Sequence, residues 1–588
     1  MSYELIITEK PSAAMKIAYA LSDGKPVKKT NKGVSYFLTA HNKVDIAVVP
    51  AVGHLFSLAE KKDNGYKYPS FDIEWVQTAQ IDSKNSYSKK YADTIKSLSK
   101  DATSFTVACD YDVEGEVIGL NCVRFLCKQK DANRMKFSTL TKPDLVSSYK
   151  HKSNTLNWGQ ANAGETRHFL DWLYGINMSR ALTSSVTKKG VKTTLSTGRV
   201  QGPALKLVVD RELEIQNFKK KPYWLLELKG KIDNEGLTAK HEKGQIFDEK
   251  VANNIITKTK GKSGRVDVVE KSDKTHIPPY AFDLTTLQME SYRSLGINPK
   301  QTLAIAQNLY VGGYISYPRT SSQKLPPTIG YKKILAAIQG NEDYTKICTE
   351  ILGKEKIYPR QGMKDDPAHP AIYPTGNMPK KPKTEEKKVY DLIVRRFLSA
   401  FGEPAKRVHT TLKINVENEI FVAEGKITIE RGWYEYYGKH LNVNETKVPN
   451  AQTGSLVDVE KIDKIEKETE PPKRYSPASI IKELESRNLG TKSTRAHVID
   501  TLYQRNYVKG SLLEATDLGI GVVTSLSQYS PKIVEEELTR HFEEEMDEIR
   551  DNKKTKDEVI DKAKNVLNEI LDNFKKNEDK IGKELLDS

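Results

Sequence analysis

Apolar positions near the N-terminus change period once within twenty residues. Tyr3 to Thr8 is a short, nearly continuous apolar run of the kind a buried strand carries. After Pro11-Ser12, the positions Ala13, Ala14, Ile17, Ala18 and Leu21 follow helical spacing. Glu9 and Lys10 therefore fall at a strand-to-helix turn. Val44 to Val49 and Phe105 to Cys109 are further strand candidates, and the second runs into Asp110-Tyr-Asp-Val-Glu-Gly-Glu116 and an apolar, helix-like stretch from Val117 to Leu126. This alternation predicts an α/β domain over residues 1–150.

Residues 155–215 turn helical, interrupted by Ser196-Thr-Gly-Arg199. Strand alternation returns at Tyr223 to Lys231, and Thr411 to Val422 reads as a hairpin around Glu417-Asn418. A helix-rich stretch from about 280 to 405 separates these β segments. Helical spacing resumes from Ser476 to Leu518, broken at Asn488-Leu-Gly490, and residues 530–588 read as a charged tail with helical periodicity. The order implies domains inserted within one another, which suits a chain of 588 residues, too long for one ordinary core.

Charge adds a partner class. Lys plus Arg number 93 against 78 Asp plus Glu, a net +15 that favours an anionic polymer. The four cysteines Cys109, Cys122, Cys127 and Cys348 form no CxxC pair, so a reduced cytoplasm is the expected setting. No apolar run reaches the length of a membrane span, and the N-terminus lacks an export signal.

Asp110, Asp112 and Glu114 alternate directly after a strand, and Glu9 ends another. Open α/β sheets place ligands at such carboxyl ends, and clustered carboxylates there suit Mg²⁺, although three acids in five residues are also a common solvated loop. Ile7-Thr-Glu-Lys-Pro11 together with Asp-x-Asp-x-Glu-Gly-Glu resembles the TOPRIM domain of topoisomerases, primases and some nucleases, and the resemblance implies Mg²⁺ at Asp110, Asp112, Glu114 and Glu9. The family commonly has a basic residue before the glutamate where this chain has Val113.

Among 28 tyrosines, Tyr317 stands out by its neighbours. A phenol, with a pKa of about 10, needs a cation to act as a nucleophile, and Arg319 lies two residues on. The segment Asn308-Leu-Tyr-Val-Gly-Gly-Tyr-Ile-Ser-Tyr-Pro-Arg-Thr-Ser-Ser322 closely resembles the active-site segment of type IA DNA topoisomerases. Further segments match that family in order: Gly53-His54-Leu55, Arg167 with Asp171, Ser196-Thr-Gly-Arg199-Val-Gln201, Ala368-His369-Pro, and Gly490-Thr-Lys492-Ser-Thr-Arg495. Taken singly, His54 and His369 read as core histidines, Arg199 as a surface pair and Lys492 as a solvated lysine; their order along the chain favours the family.

The resemblance implies a multidomain α/β and α+β toroid: a TOPRIM domain (1–150), a helical DNA-binding domain (151–215 and 475–588), a β-rich arch (216–278 and 406–474) and a tyrosine domain (279–405). It implies ATP-independent cleavage, strand passage and religation of DNA through a 5′-phosphotyrosine at Tyr317, relaxing negative supercoils or decatenating DNA. Arg319, Lys10 and His369 would attend the phosphate, and Glu9 would act as general acid. His54, Arg167, Asp171, Ser196, Arg199, Gln201, Lys492 and Arg495 would contact DNA. No phosphate-binding nucleotide loop is present, since Gly261-Lys-Ser263 has Ile256 where the first glycine belongs. Single-stranded or negatively supercoiled DNA is the expected substrate, for a monomer in the cytoplasm, associated with the nucleoid, with a helicase or single-strand-binding protein as a possible partner. The Tyr-Pro-Arg form and the lack of zinc-ribbon cysteines lean toward the topoisomerase III-like, archaeal-looking side. A TOPRIM nuclease or primase-like enzyme would form no tyrosyl adduct and leaves Tyr317-Pro-Arg319 unexplained; a non-enzymatic DNA clamp would bind DNA equally well as Tyr317→Phe.

Overall fold

The computed structural model describes residues 2–62 and 65–587. Its first sheet is built from β1 (Tyr3–Thr8), β2 (Val27–Asn31), β3 (Val34–His41), β4 (Val44–Pro50), β7 (Ala102–Val107) and β8 (Asn133–Arg134), in the order β2-β3-β4-β1-β7-β8. A separate hairpin joins β5 (Phe56–Glu60) to β6 (Ile73–Gln77). β1 lies between β4 and β7 and is parallel to both, with Leu5 beside Ala47 and Phe105. Its central residues Leu5, Ile6 and Ile7 are fully buried, which is why this strand reads as a continuous apolar run. Because Ile7 pairs with Val107, the chain leaves β1 and β7 at neighbouring points, and Glu9 and Asp110 start from the same edge of the sheet.

Some boundaries differ from the sequence reading. The strand expected over Phe105 to Cys109 ends at Val107, and the helix expected from Val117 begins at Val113. The cause is Asp112, whose Oδ1 accepts from the Gly115 amide and caps the helix, which starts four residues earlier than apolar spacing suggested. The Cys122–Leu126 turn widens to a π-helix.

A six-stranded antiparallel barrel forms from β9 (Pro222–Ile232), β10 (Glu235–His241), β11 (Gly264–His276), β12 (Ala405–Val416), β13 (Glu419–Glu430) and β14 (Leu456–Glu468), ordered β10-β13-β12-β11-β14-β9. The expected hairpin is present between β12 and β13, with Glu417 and Asn418 both at positive φ, the conformation that a two-residue turn matching strand twist demands. Residues between β11 and β12 form the helical unit that carries Tyr317. Their core is continuous with one face of the first sheet: Ile6, Phe37 and Val48 pack in the same cluster as Ile315, Tyr317 and Phe397.

The remaining helices share a second core. Trp158–Thr187 and Lys556–Asp587, of 30 and 32 residues, pack with Glu536–Arg550, Gln201–Gln216 and Asp517–Tyr529. The charged, helically periodic segment folds over residues 530–587 into this core: Phe542, Met546, Leu567, Leu571 and Phe574 are buried there. Its charges occupy the outer face of amphipathic helices, and its apolar stripe needs the distant Trp158–Thr187 helix to cover it.

Candidate active site

Three carboxylates gather at the ends of β1 and β7. Lys10 Nζ lies 2.8 Å from Glu9 and 2.9 Å from Asp110, bridging them. The other oxygen of Asp110 accepts from the Tyr310 hydroxyl at 3.0 Å. Burial and the nearby charge of Asp110 push Glu9 up to about 7, against the opposing effect of Lys10. Holding the loop from behind is Arg134, buried on β8, which donates to Glu116 at 2.6 Å and to the carbonyls of Cys109 and Asp110 at 2.8 Å. No sequence signal marked Arg134; its role arises because β8 ends beside β7.

Tyr317 is brought to these carboxylates from more than 200 positions away by the shared core. Its backbone amide donates to the Ser138 carbonyl at 2.8 Å. Its hydroxyl donates to Asp112 Oδ2 at 2.5 Å, and the residue is fully buried. The rings of Tyr310 and His369 flank it at 5.1 and 4.6 Å. Burial, then Asp112 and Asp110, hold the phenol well above its ordinary value, and the opposing pull of Arg319 is smaller. In this closed arrangement the phenol keeps its proton. Among the described residues, the buried Arg319 Nε has no hydrogen-bond partner.

His369 accepts or donates at both nitrogens: Nε2 is 3.0 Å from the Tyr111 carbonyl and Nδ1 is 3.0 Å from Ser138 Oγ. A carbonyl only accepts, so Nε2 carries the proton and Nδ1 accepts from Ser138. Burial pushes His369 down to about 4, so it is neutral at pH 7. Asp366, three residues earlier, accepts from the His369 amide at 3.2 Å and is paired with Lys492 from the helical domain.

Glu114 stands apart from the other acids. Its Oε2 lies 3.0 Å from both His54 Nε2 and His168 Nε2, and Arg167 approaches Oε1 at 3.9 Å. Burial opposes its ionisation, but the two histidine hydrogen bonds outweigh this and hold the carboxyl well below its usual range. The basic residue missing at Val113 is thereby answered by three basic groups from elsewhere, while Val113 itself packs against Gly164, where a Cβ would lie 2.9 Å from its Cγ1.

The remaining predicted contacts are mostly internal in this state. Arg199 is buried between Asp171 at 2.9 Å and Glu543 at 2.7 Å. Gln201 donates to the Ser196 carbonyl at 3.1 Å, and the Ser196 backbone is clasped by the Tyr507 hydroxyl. Arg495 donates to the carbonyls of Leu489 and Gly490 at 3.1 and 2.9 Å. Arg167, Lys492, Asp112, Glu114 and His369 line one cleft of about 280 Å³, and two of them, Asp112 and His369, also touch the buried tyrosine. Sequence reasoning missed His168, Asp366, Glu543 and Tyr310; His168 is adjacent to the Arg167 motif and Asp366 lies just before Ala368-His369, the nearest thing to a signal for either.

The site is made from two units that also match separate family models. Residues 4–140 match a Toprim domain and residues 155–561 match the DNA topoisomerase family. A DNA topoisomerase 1 of Pyrococcus horikoshii is 44% identical over 99% of this chain and 85% of its own length. One from Methanocaldococcus jannaschii is 45% identical over 98% of this chain and 75% of its own. A full-length topoisomerase I structure from Thermotoga maritima superposes with a TM-score of 0.75 at 26% identity, over 97% of this chain and 90% of that one. No helix among the described residues is long and apolar enough to cross a membrane. With both family models and near full-length relatives in agreement with the split site, the chain belongs to the type IA DNA topoisomerases, isomerases that act on DNA.

Proposed function

We propose that Tyr317 is the nucleophile of DNA strand cleavage. Its hydroxyl oxygen attacks a backbone phosphorus, forming a 5′-phosphotyrosine bond as the bond from phosphorus to the 3′-oxygen breaks. The phenolic proton leaves along the existing hydrogen bond to Asp112 Oδ2, and Arg319 stabilises the charge that appears on the tyrosine and phosphate oxygens. Glu9, protonated near neutral pH, gives its proton to the departing 3′-oxygen. Lys10, between Glu9 and Asp110, and neutral His369, beside the Tyr317 ring, position the phosphate. Reversal of these steps religates the strand with no outside energy source.

The donor set fits Mg²⁺: Glu9, Asp110 and Asp112 offer only oxygen ligands, and burial, with the charges of Asp110 and Asp112 adding to it, raises Glu9, a cost of ionisation that a divalent ion relieves. When bound there, Mg²⁺ would neutralise the carboxylates and hold a phosphate oxygen for religation. Glu114 would join that set only after leaving His54 and His168.

The observation that carries this reading is the placement of the buried Tyr317 hydroxyl on Asp112, with Arg319 beside it. The same burial requires the Toprim and tyrosine domains to part before DNA enters, and that parting would also admit a second strand. Arg167 and Lys492 in the cleft supply backbone contacts to single-stranded or underwound DNA, with the strong salt dependence of such contacts. Incubating the full chain with end-labelled single-stranded DNA and denaturing it should trap protein on the 5′ end of the cleaved strand, and Tyr317→Phe should trap none. Attachment to a 3′ end, or an undiminished adduct in Tyr317→Phe, would refute the assignment.

A further inference from the structure

We infer that His54, Glu114 and His168 form a binding site for a divalent first-row transition metal ion, distinct from the carboxylate set proposed to hold Mg²⁺. Their ligand atoms lie within 4.8 Å of one another. The three residues come from separate parts of the fold: the loop after β4, the first turn of the helix Val113–Asn121, and the middle of the helix Trp158–Thr187. Convergence of this kind is a tertiary arrangement, unlike neighbouring acids on one loop.

Both imidazoles present Nε2 to the same carboxylate oxygen at 3.0 Å. Ligands bonded to one ion at about 2.0–2.2 Å sit at roughly this separation from each other. The rings are 5.0 Å apart, and Trp75 packs on His168 at 5.3 Å, which limits rotation of that ring. Two imidazoles and one carboxylate suit Zn²⁺, Co²⁺, Ni²⁺ or Fe²⁺, whereas Mg²⁺ takes oxygen ligands. The side chains of His54, Glu114 and His168 retain 30%, 25% and 27% exposure, so the site opens to solvent and a water would complete the coordination. An ion there would fix the helix turn that begins at Asp112, the residue holding the Tyr317 hydroxyl, and would keep Glu114 away from Mg²⁺.

The test is direct binding by the chelator-stripped full chain. Co²⁺ titration should give one equivalent with visible ligand-field absorption, without sulfur charge-transfer bands, and excess Mg²⁺ should not displace it. His54→Gln and His168→Gln should each weaken binding by at least about tenfold, since even loss of an outer-shell partner costs about that much. Asp110→Asn should bind as wild type does. X-ray absorption of the wild-type Zn²⁺ complex should show two imidazole nitrogens at about 2.0 Å, a measurement that does not depend on how the variants fold. Absence of stoichiometric binding, sulfur scatterers, displacement by Mg²⁺, or unchanged affinity in folded His54→Gln and His168→Gln would overturn the inference. None of these readouts depends on the role given to Tyr317.

Discussion

Glu9→Gln isolates the electrostatic tension at the centre of the proposed site. In the folded protein the Glu9 carboxyl is raised from 4.5 to about 7, first by burial and then by Asp110. At about 1.4 kcal/mol per pH unit, ionising it in place costs on the order of 3 kcal/mol more than in the unfolded chain. The sign follows from a raised acid: the folded protein holds this proton more tightly, so the associated stability is fully present below about pH 4.5 and is lost as pH rises to about 7. Glutamine stays neutral throughout. Glu9→Gln should therefore match wild type near pH 4.5 and exceed it above pH 7 by up to about 3 kcal/mol, less whatever Lys10 loses when one of its two partners becomes neutral. The assay is thermal unfolding of both proteins in chelator from pH 4.5 to 8.5, comparing the first transition, because a chain with several cores need not unfold in two states. A Glu9→Gln protein that is no more stable than wild type at pH 8, or whose advantage does not change with pH, would refute the assigned charge crowding. Adding Mg²⁺ should move the wild-type transition in pH downward, since a cation favours the ionised form.

The same proton gives a kinetic expectation: adduct formation by wild type in chelator should fall as pH rises through about 7, and Glu9→Gln should cleave about 10² to 10⁴-fold more slowly with that pH dependence gone. A flat wild-type profile in this range would exclude Glu9 as the general acid. Gly115→Ala should cripple cleavage without touching a functional side chain, because its Cβ would meet the Asp110 carbonyl oxygen at 2.0 Å and must displace the loop carrying the carboxylates; adduct yield and thermal unfolding would report it. Arg199→Ala should destabilise the helical domain by about 3 kcal/mol, the lower end of the range for breaking a buried pair, since it leaves buried Glu543 with only the longer 3.9 Å contact to Arg167, measured by denaturant unfolding; a change confined to the salt dependence of DNA binding would instead make Arg199 a direct phosphate contact. Lys492→Ala should free Asp366 and reduce affinity for single-stranded DNA with a shallower salt slope, read by fluorescence anisotropy.

The local patterns at Tyr3 to Thr8, at Glu417-Asn418 and around Tyr317 were legible in the sequence because each reflects forces within a few residues. A strand buried on both faces must be apolar throughout, a tight hairpin needs two residues at positive φ, and a chemical segment keeps its neighbours. Motif order along the chain also separated a tyrosine-based enzyme from a nuclease. Tertiary structure decided which charges meet. Spacing grouped Glu114 with Asp110 and Asp112, yet the helix that starts at the Asp112 cap turns Glu114 toward His54 and His168. Arg199 read as a surface pair, but the burial of the helices Glu536–Arg550 and Lys556–Asp587 places Glu543 against it and makes it an internal ion pair. Arg134 carried no local signal, and Tyr310, although inside the segment around Tyr317, gave no sign of its partner, because their work is to satisfy Asp110 and its loop from elements apart in sequence. Hydrophobic periodicity says which face of an element is buried; only packing says what that face is buried against, and at this site the second answer sets every charge.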